Sequence, residues 1–360
     1  MSRPASWRIG LSSAAAAGLV AGCLVAVDYD KVDALPDAGA DAGFCLPVAD
    51  APAPPSCAGL QPGADQHCGE DGAESCCAML AVPCGSFFRG FDAAGRGTRD
   101  YPATVSDFWL DRYEVTVGRF RAFVASGSGT QGSAPQLGAG AVGPNAGSGW
   151  HSEWNAELAA SSAELAALLG CEADGASWTA APGSAEQLPM NCVTWFEALA
   201  FCIWDGGRLP TETEHELAAA GGSEQRVYPW SVPPSADTID ADHAVYGCEL
   251  SPSLCPEASR LSLGGLHPLG NARWGHADLG GNVAEWMLDW QDWTSANASY
   301  FLPCTDCVAL AAPEARSVRG GSFQSPPEDA DALRASAHGS LPPLTRAVSL
   351  GFRCARATGP

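Results

Sequence analysis

Apolar residues recur at helical spacing in only a few places along this chain, and each place carries start and stop signals. Thr194-Trp195-Phe196-Glu197 is a capping box ahead of an apolar run, and Gly206-Gly207 follows that run. Thr211-Glu212-Thr213-Glu214 is a second capping box, whose helix is expected to stop at Gly221-Gly222. Upstream, FWLDRYEVT (Phe108 to Thr116) has the aromatic and β-branched content of a strand. Thr116 can then cap a short helix with Phe120, Phe123 and Val124 on one side. Residues 126–150 are rich in Gly and Ser and read as a long surface loop, and the Ala- and Leu-rich run Asn155 to Leu169 is predicted helical. Beyond Gly222 no long periodic element is visible, only short apolar pieces among Gly, Pro and Trp. The pattern predicts an α+β fold, loop-rich with few helices and no internal repeat.

Composition adds a size and a compartment. The 360 residues are 46% hydrophobic with 12 Trp, enough for one sizeable core. The formal charge is −22 and Lys31 is the lone lysine, which argues against a nucleic-acid partner, because phosphates need a basic surface. Arg3 and Arg8 precede an apolar run, Ile9 to Ala21, that is shorter than the ~20 residues a bilayer-spanning helix requires. The run ends in LVAGC, which resembles a bacterial lipobox and implies cleavage before Cys23 and acylation of its thiol. The expected organisation is a lipoprotein signal peptide over 1–22, an Ala/Asp/Pro tether over 23–56, a cysteine-rich segment over 57–84 and the main domain over 85–356. Its expected place is the bacterial cell envelope, exported and held to the membrane by lipid. With Cys23 acylated, 14 of the 15 cysteines remain, and an oxidising compartment favours disulfides over metal thiolates. Cys45, Cys57, Cys68, Cys76, Cys77 and Cys84 read as a small stapled unit in which the adjacent Cys76 and Cys77 take different partners. A zinc cluster fits less well there, since the spacing is irregular and His67 stands alone.

Five segments, in order, carry a family resemblance: DRYEVTVGRF (111–120), NCVTWFEALAFCIWDGGRLPTETEHELAAAGG (191–222), YPWS (228–231), LGGNVAEWMLDW (279–290) and RGGSF…LGFRCAR (319–356). Together they resemble the formylglycine-generating enzyme, or sulfatase-modifying factor, family across roughly residues 80–356. The resemblance implies a modified C-type-lectin-like fold with short mixed sheets. It also implies oxidation of a cysteine in an unfolded sulfatase, using oxygen and a copper ion held by two cysteines in the pattern R-G-G-S-x-x-C-x-x-x-x-C. Arg319, Gly320, Gly321 and Ser322 match that pattern, but the cysteine positions read Ser325 and Ala330. Thiolates are soft and select copper(I), whereas a hydroxyl is a hard, protonated donor and a methyl group donates nothing. Copper and its oxidase chemistry are therefore not expected. Pro326 and Pro327 stiffen the loop, and Arg319 to Ser322, with Arg334 and His338, are expected to frame a groove.

The resemblance implies further pairings. Cys202 and Cys354 fall where the family joins its first capped helix to the C-terminal strand, while the positions of a second family bond read Ala219 and Ala335. Cys171 with Cys192 and Cys248 with Cys255 read as local bridges. Cys304-Thr305-Asp306-Cys307 is a C-x-x-C without thioredoxin-like context, read as a structural disulfide in this pair or a crossed one. DLGGNVAEW aligns with a structural calcium site, with side-chain ligands Asp278 and Glu285 and main-chain ligands Gly281 and Val283. A second family calcium site would begin at His243-Ala244-Val245-Tyr246, where Ala244 lacks the ligating amide. The seven histidines form no metal-binding pattern; His215 stands where the family has Trp and is expected to pack beneath the second capped helix. Two functional classes follow. One is a binding module for an unfolded peptide, envelope protein or small ligand. The other is an enzyme of the same superfamily in which Ser325, Glu328, Asp329, Arg334 and His338 line the old groove and hold a harder metal, with true formylglycine generation the weakest variant.

Overall fold

Strands alternate with loops throughout the computed structural model, which describes residues 53–58, 63–64, 67–143, 145–171, 175–248, 261–291, 300–310 and 314–358. The expected signal peptide, Cys23, Cys45, Cys255 and most of the tether lie outside the described residues. In chain order the elements are β1 (Met79–Val82), β2 (Gly85–Phe88), β3 (Pro102–Val105), β4 (Phe108–Asp111), α1 (Val117–Ala125), α2 (Ser162–Leu168), α3 (Trp195–Trp204), α4 (Glu212–Ala220), β5 (Ala284–Gln291), β6 (Ala315–Arg319), β7 (Gly339–Leu341), β8 (Leu350–Gly351) and β9 (Ala355–Ala357). The strands form three small sheets, ordered β1-β4-β9, β2-β3 and β7-β6-β5-β8. In the largest, β5 runs antiparallel to β6 and parallel to β8, so the sheet is mixed. The α+β, loop-rich expectation holds. Because β1 pairs with β4, the end of the cysteine-rich segment is itself a strand of the domain's sheet.

Local sequence explains most element ends. Both capping boxes form: Thr194 with Glu197 opens α3, and Thr211 with Glu214 opens α4. Gly221, at φ 66°, closes α4 in the left-handed conformation that glycine adopts without a Cβ penalty. The Thr116 hydroxyl accepts from the Arg119 amide and caps α1. Two expectations are corrected. The helix predicted over 155–169 is a 3-10 turn at Ser152–Glu157 followed by α2, because Ser161 accepts from the Glu164 amide and starts a new helix there. The strand predicted through Thr116 ends at Asp111, whose carboxylate is drawn into bonds with Arg119 and the Cys354 amide.

The core is aromatic. Phe120, Phe123, Phe201 and Phe352 meet at centroid distances of 5.3–6.2 Å, joining α1, α3 and the C-terminal segment. The Cys202–Cys354 disulfide ties the same elements, as the resemblance implied. Cys171–Cys192 and Cys304–Cys307 form as local bridges, and Cys76 and Cys77 pair with Cys68 and Cys57 respectively. Cys84 and Cys248 are also oxidised, with partners outside the described residues. No helix among the described residues is long and apolar enough to cross a membrane.

Arg353, between β8 and β9, fastens these pieces together. Its Nε and Nη2 donate to Glu285 on β5, Nη2 also to the Ala277 carbonyl, and Nη1 to the carbonyls of Asp111 and Arg112. All of this is buried. Replacing Arg353 with Met leaves Glu285 as a buried carboxylate without its cation, so R353M is expected to lose about 3–5 kcal/mol in a denaturant titration. R353K should rescue little, because an ammonium cannot reproduce the planar fork.

Candidate functional site

The loop after β6 begins with two left-handed glycines, Gly320 at φ 90° and Gly321 at φ 64°. A Cβ on Gly321 would also stand 2.9 Å from the Ala332 carbonyl oxygen, so the turn needs glycine twice over. Ser322 to Ser325 then closes on itself. The Ser325 amide donates to the Ser322 carbonyl at 2.9 Å, and the Ser325 hydroxyl accepts from the Ser322 amide at 3.0 Å. Amides of Gly247 and Cys248 donate to the carbonyls of Ser325 and Phe323, and the Phe323 amide donates to the Asn282 carbonyl. Pro326 and Pro327 start a 3-10 helix, Pro327–Leu333, which carries Ala330. Arg334 follows, donating through Nε to Asp331 and through Nη1 to the buried Asp92 at 2.8 and 2.7 Å. Asp331 in turn pairs with Arg96. The loop is thus sewn down on both sides, with Ser325 half-buried.

Arg319 and His338, expected to frame the groove, meet in a buried polar cluster. Arg319 Nη2 donates to Glu212 Oε1 at 3.0 Å, Glu216 Oε2 at 2.7 Å and Tyr300 Oη at 3.2 Å. His338 Nδ1 lies 2.7 Å from Glu212 Oε1 and 3.1 Å from Tyr300 Oη. Glu212 is deeply buried, which would raise its pKa, yet the Arg319 guanidinium and His338 hold it down at about 2. Burial pushes Tyr300 well above the usual phenol range, with Glu216 and Glu212 adding to the shift. The cluster therefore holds a carboxylate fixed in its charged form beside a phenol fixed in its neutral form. Glu212, Glu216 and Tyr300 were not singled out from the sequence, although the i, i+4 spacing of the two glutamates on a capped helix puts them on one face.

The calcium ligands that the resemblance implies lie on one turn, where Asp278 (φ 55°), Gly281 (φ 98°) and Asn282 (φ 56°) are left-handed. One Asp278 oxygen accepts from the Gly265 amide. Glu285 receives Arg353 and has His215 Nε2 3.6 Å away. Glu114 closes the turn from the other side, accepting from Asn282 Nδ2 at 2.7 Å and the Val283 amide at 3.2 Å. Burial raises the pKa of Glu114, Asp278 and Glu285. Three buried carboxylates act on one guanidinium here, that of Arg353. Among the described residues no cluster of three His, Cys, Asp or Glu side chains is arranged to hold a metal, and the implied calcium set asks for two side chains plus carbonyls.

Against known proteins, residues 65–358 match the Sulfatase-modifying factor enzyme 1-like domain. The chain belongs to the sulfatase-modifying factor family. It is 30% identical over 308 residues to the formylglycine-generating enzyme of Streptomyces coelicolor, covering 77% of this chain and 88% of that one. It is 28% identical over 303 residues to that of Thermomonospora curvata, covering 77% and 92%. The mouse relative named inactive C-alpha-formylglycine-generating enzyme 2 is 30% identical over 301 residues, covering 78% and 86%. The family thus holds both active and inactive members. The structure of PvdO from Pseudomonas aeruginosa shares the fold, with a TM-score of 0.50 at 22% identity over 78% of this chain and 94% of that one.

One buried group beneath the family's second capped helix titrates near neutrality. Asp289 on β5 accepts from the Glu212 amide at 2.7 Å and the Ala309 amide at 2.8 Å, and burial with repulsion from Glu212 pushes its pKa up to about 7. Its ordinary value is 3.8, so the folded state binds this proton more tightly than the unfolded state does. The resulting penalty is absent below pH 3.8, grows as pH rises and is complete above about 7. D289N removes the titrating group. Between pH 5 and 8 wild-type stability is expected to fall by about 2 kcal/mol relative to D289N, measured by urea unfolding across the range.

Proposed function

We propose that this chain is an envelope-anchored binding module on the sulfatase-modifying factor fold, without copper oxidase activity, that takes an unfolded peptide, an envelope protein or a small ligand. The lipobox at Cys23 motivates the anchor and the envelope location. The observation that carries the loss of oxidase activity is the pair Ser325 and Ala330 at the copper-cysteine positions. The Ser325 hydroxyl accepts from the Ser322 amide within its own turn, and Ala330 offers no ligand atom. The retained glycine turn and the bonds from Gly247 and Cys248 support a loop kept for its shape.

Competition titration with a copper(I) chelator tests this reading. Wild type should show no tight copper(I) site, and the double substitution S325C/A330C should create one, since two thiolates select the soft ion. A sulfatase-derived peptide incubated with wild type and copper should yield no aldehyde. Aldehyde formation, or tight copper(I) binding by wild type, overturns the reading.

A diverged enzyme is the second reading, and the Tyr300–His338–Glu212 hydrogen-bonded set beside Arg319 favours it. Such a set can orient a polar group of a substrate by hydrogen bonds. Stoichiometric iron or manganese in purified protein, lost in H338A, would favour this reading over the first.

Calcium is proposed as a structural ion on the Asp278–Glu285 turn, held by those side chains and the carbonyls of Gly281 and Val283. The excess of buried carboxylate over guanidinium there supports it. Millimolar calcium should raise the melting temperature of chelator-treated protein by several degrees, corresponding to ~1–3 kcal/mol by mass action. D278A should abolish that rise.

A further inference from the structure

We infer that the Cys304–Cys307 disulfide is a reducible, redox-active site for dithiols, with Arg89 and Thr213 placed to hold the Cys307 thiolate. The inference stands apart from the binding-module reading. Three observations carry it.

The first is an unpaired cation. Arg89 is 2% exposed, yet it makes no ion pair among the described residues. Its Nη2 donates to the Phe301 carbonyl at 2.7 Å, its Nε has no partner, and its guanidinium carbon sits 4.8 Å over the Tyr300 ring. The remaining contact is Nη1 to Cys307 Sγ at 3.6 Å. Other buried arginines of this protein that make ion pairs meet carboxylates, as Arg119, Arg319 and Arg353 do. Glu216, Glu212 and Asp289 act on this guanidinium without forming an ion pair with it, and the group in front of it becomes an anion when the disulfide opens.

The second is a hydroxyl on the same sulfur. Thr213 Oγ1 lies 3.5 Å from Cys307 Sγ and 4.0 Å from Cys304 Sγ, within the first turn of α4. A thiolate there gains a donor and the positive end of a helix. The third is loop size. Cys304 and Cys307 are separated by 3 positions, against 152 for Cys202 and Cys354. Chain entropy therefore favours the short bridge least. Cys304 and Cys307 are themselves buried, beneath the exposed Leu302, Pro303 and Thr305.

The exchange balances as follows. A thiolate of the dithiol attacks Cys304 Sγ, forming a mixed disulfide and expelling Cys307 as thiolate toward Arg89. The second thiol of the reductant attacks its own mixed-disulfide sulfur, closing a cyclic disulfide and releasing Cys304, which takes a proton. The dithiol loses two electrons and the protein disulfide gains them. One proton stays on Cys304 and one goes to solvent.

The test equilibrates the folded protein with graded ratios of reduced to oxidised dithiothreitol. Samples are quenched in acid and alkylated, and each cysteine pair is read by peptide mass spectrometry. Cys304–Cys307 should be half-reduced at a ratio on the order of 100-fold lower than Cys202–Cys354, from the loop-entropy difference. After mild reduction, alkylation of Cys307 should show a midpoint below the ~8.5 of a free thiol. T213V and R89M should each move that midpoint upward. Should R89M fail to fold, T213V and the wild-type pH profile still decide. Reduction of Cys304–Cys307 only together with Cys202–Cys354, or a Cys307 midpoint at or above the free-thiol value, overturns the proposal.

Discussion

Arg353 stands where three stretches with little regular structure meet: the end of β4, the loop at Ala277 and the start of β5. Short ladders cannot hold such stretches in register, because each contributes only a few backbone bonds. A planar guanidinium can, since its donors are fixed relative to one another. Each acceptor it takes is thereby placed relative to the others. The C-terminal GFRC segment thus acts as a rivet, and the Cys202–Cys354 disulfide beside it holds the same segment to α3.

The device recurs, with variations that matter. Arg119 bridges Asp111 and Asp205 at 2.9 and 2.8 Å and also donates to the Cys76 carbonyl, so the cysteine-rich segment is fastened to α1. Arg319 bridges Glu212 and Glu216 and fixes the entrance of the Gly320-Gly321 turn to α4. Arg316 makes no ion pair among the described residues; it lies between the rings of Trp195 and Trp290 at 3.4 and 3.5 Å, a cation held by aromatic faces. Arg89 keeps the same buried habit but faces a disulfide sulfur.

The Gly320-Gly321 loop is held in shape by its own backbone and by its neighbours. Its glycines are required by the backbone, and its carbonyls are taken up by Gly247 and Cys248. Serine and alanine at positions 325 and 330 disturb such a frame little, because none of these bonds needs a thiol. Arg334 belongs to this frame through Asp92 and Asp331, whereas Arg319 and His338 turn into the cluster on α4.

Local chemistry was legible wherever a short stretch decides its own conformation. Both capping boxes, the Thr116 cap, the glycine stop after α4 and the substitution of Ser325 and Ala330 for cysteine are written within a few residues each. The end of the strand at Asp111 was not legible, because Arg119 and Cys354 draw that residue away. Nor was the helix break at Ser161, where a second local cap outweighs an Ala- and Leu-rich composition. Partners of buried charges lie far apart in the chain, 68 positions for Arg353 with Glu285 and 242 for Arg334 with Asp92. No spacing rule connects them. The sequence by itself determined the capped helices, the oxidised cysteines and the absence of copper thiols. Only the tertiary structure decided which arginines meet a carboxylate and which meet an aromatic face or a sulfur, because desolvation acts on groups that the fold, not the chain order, brings together.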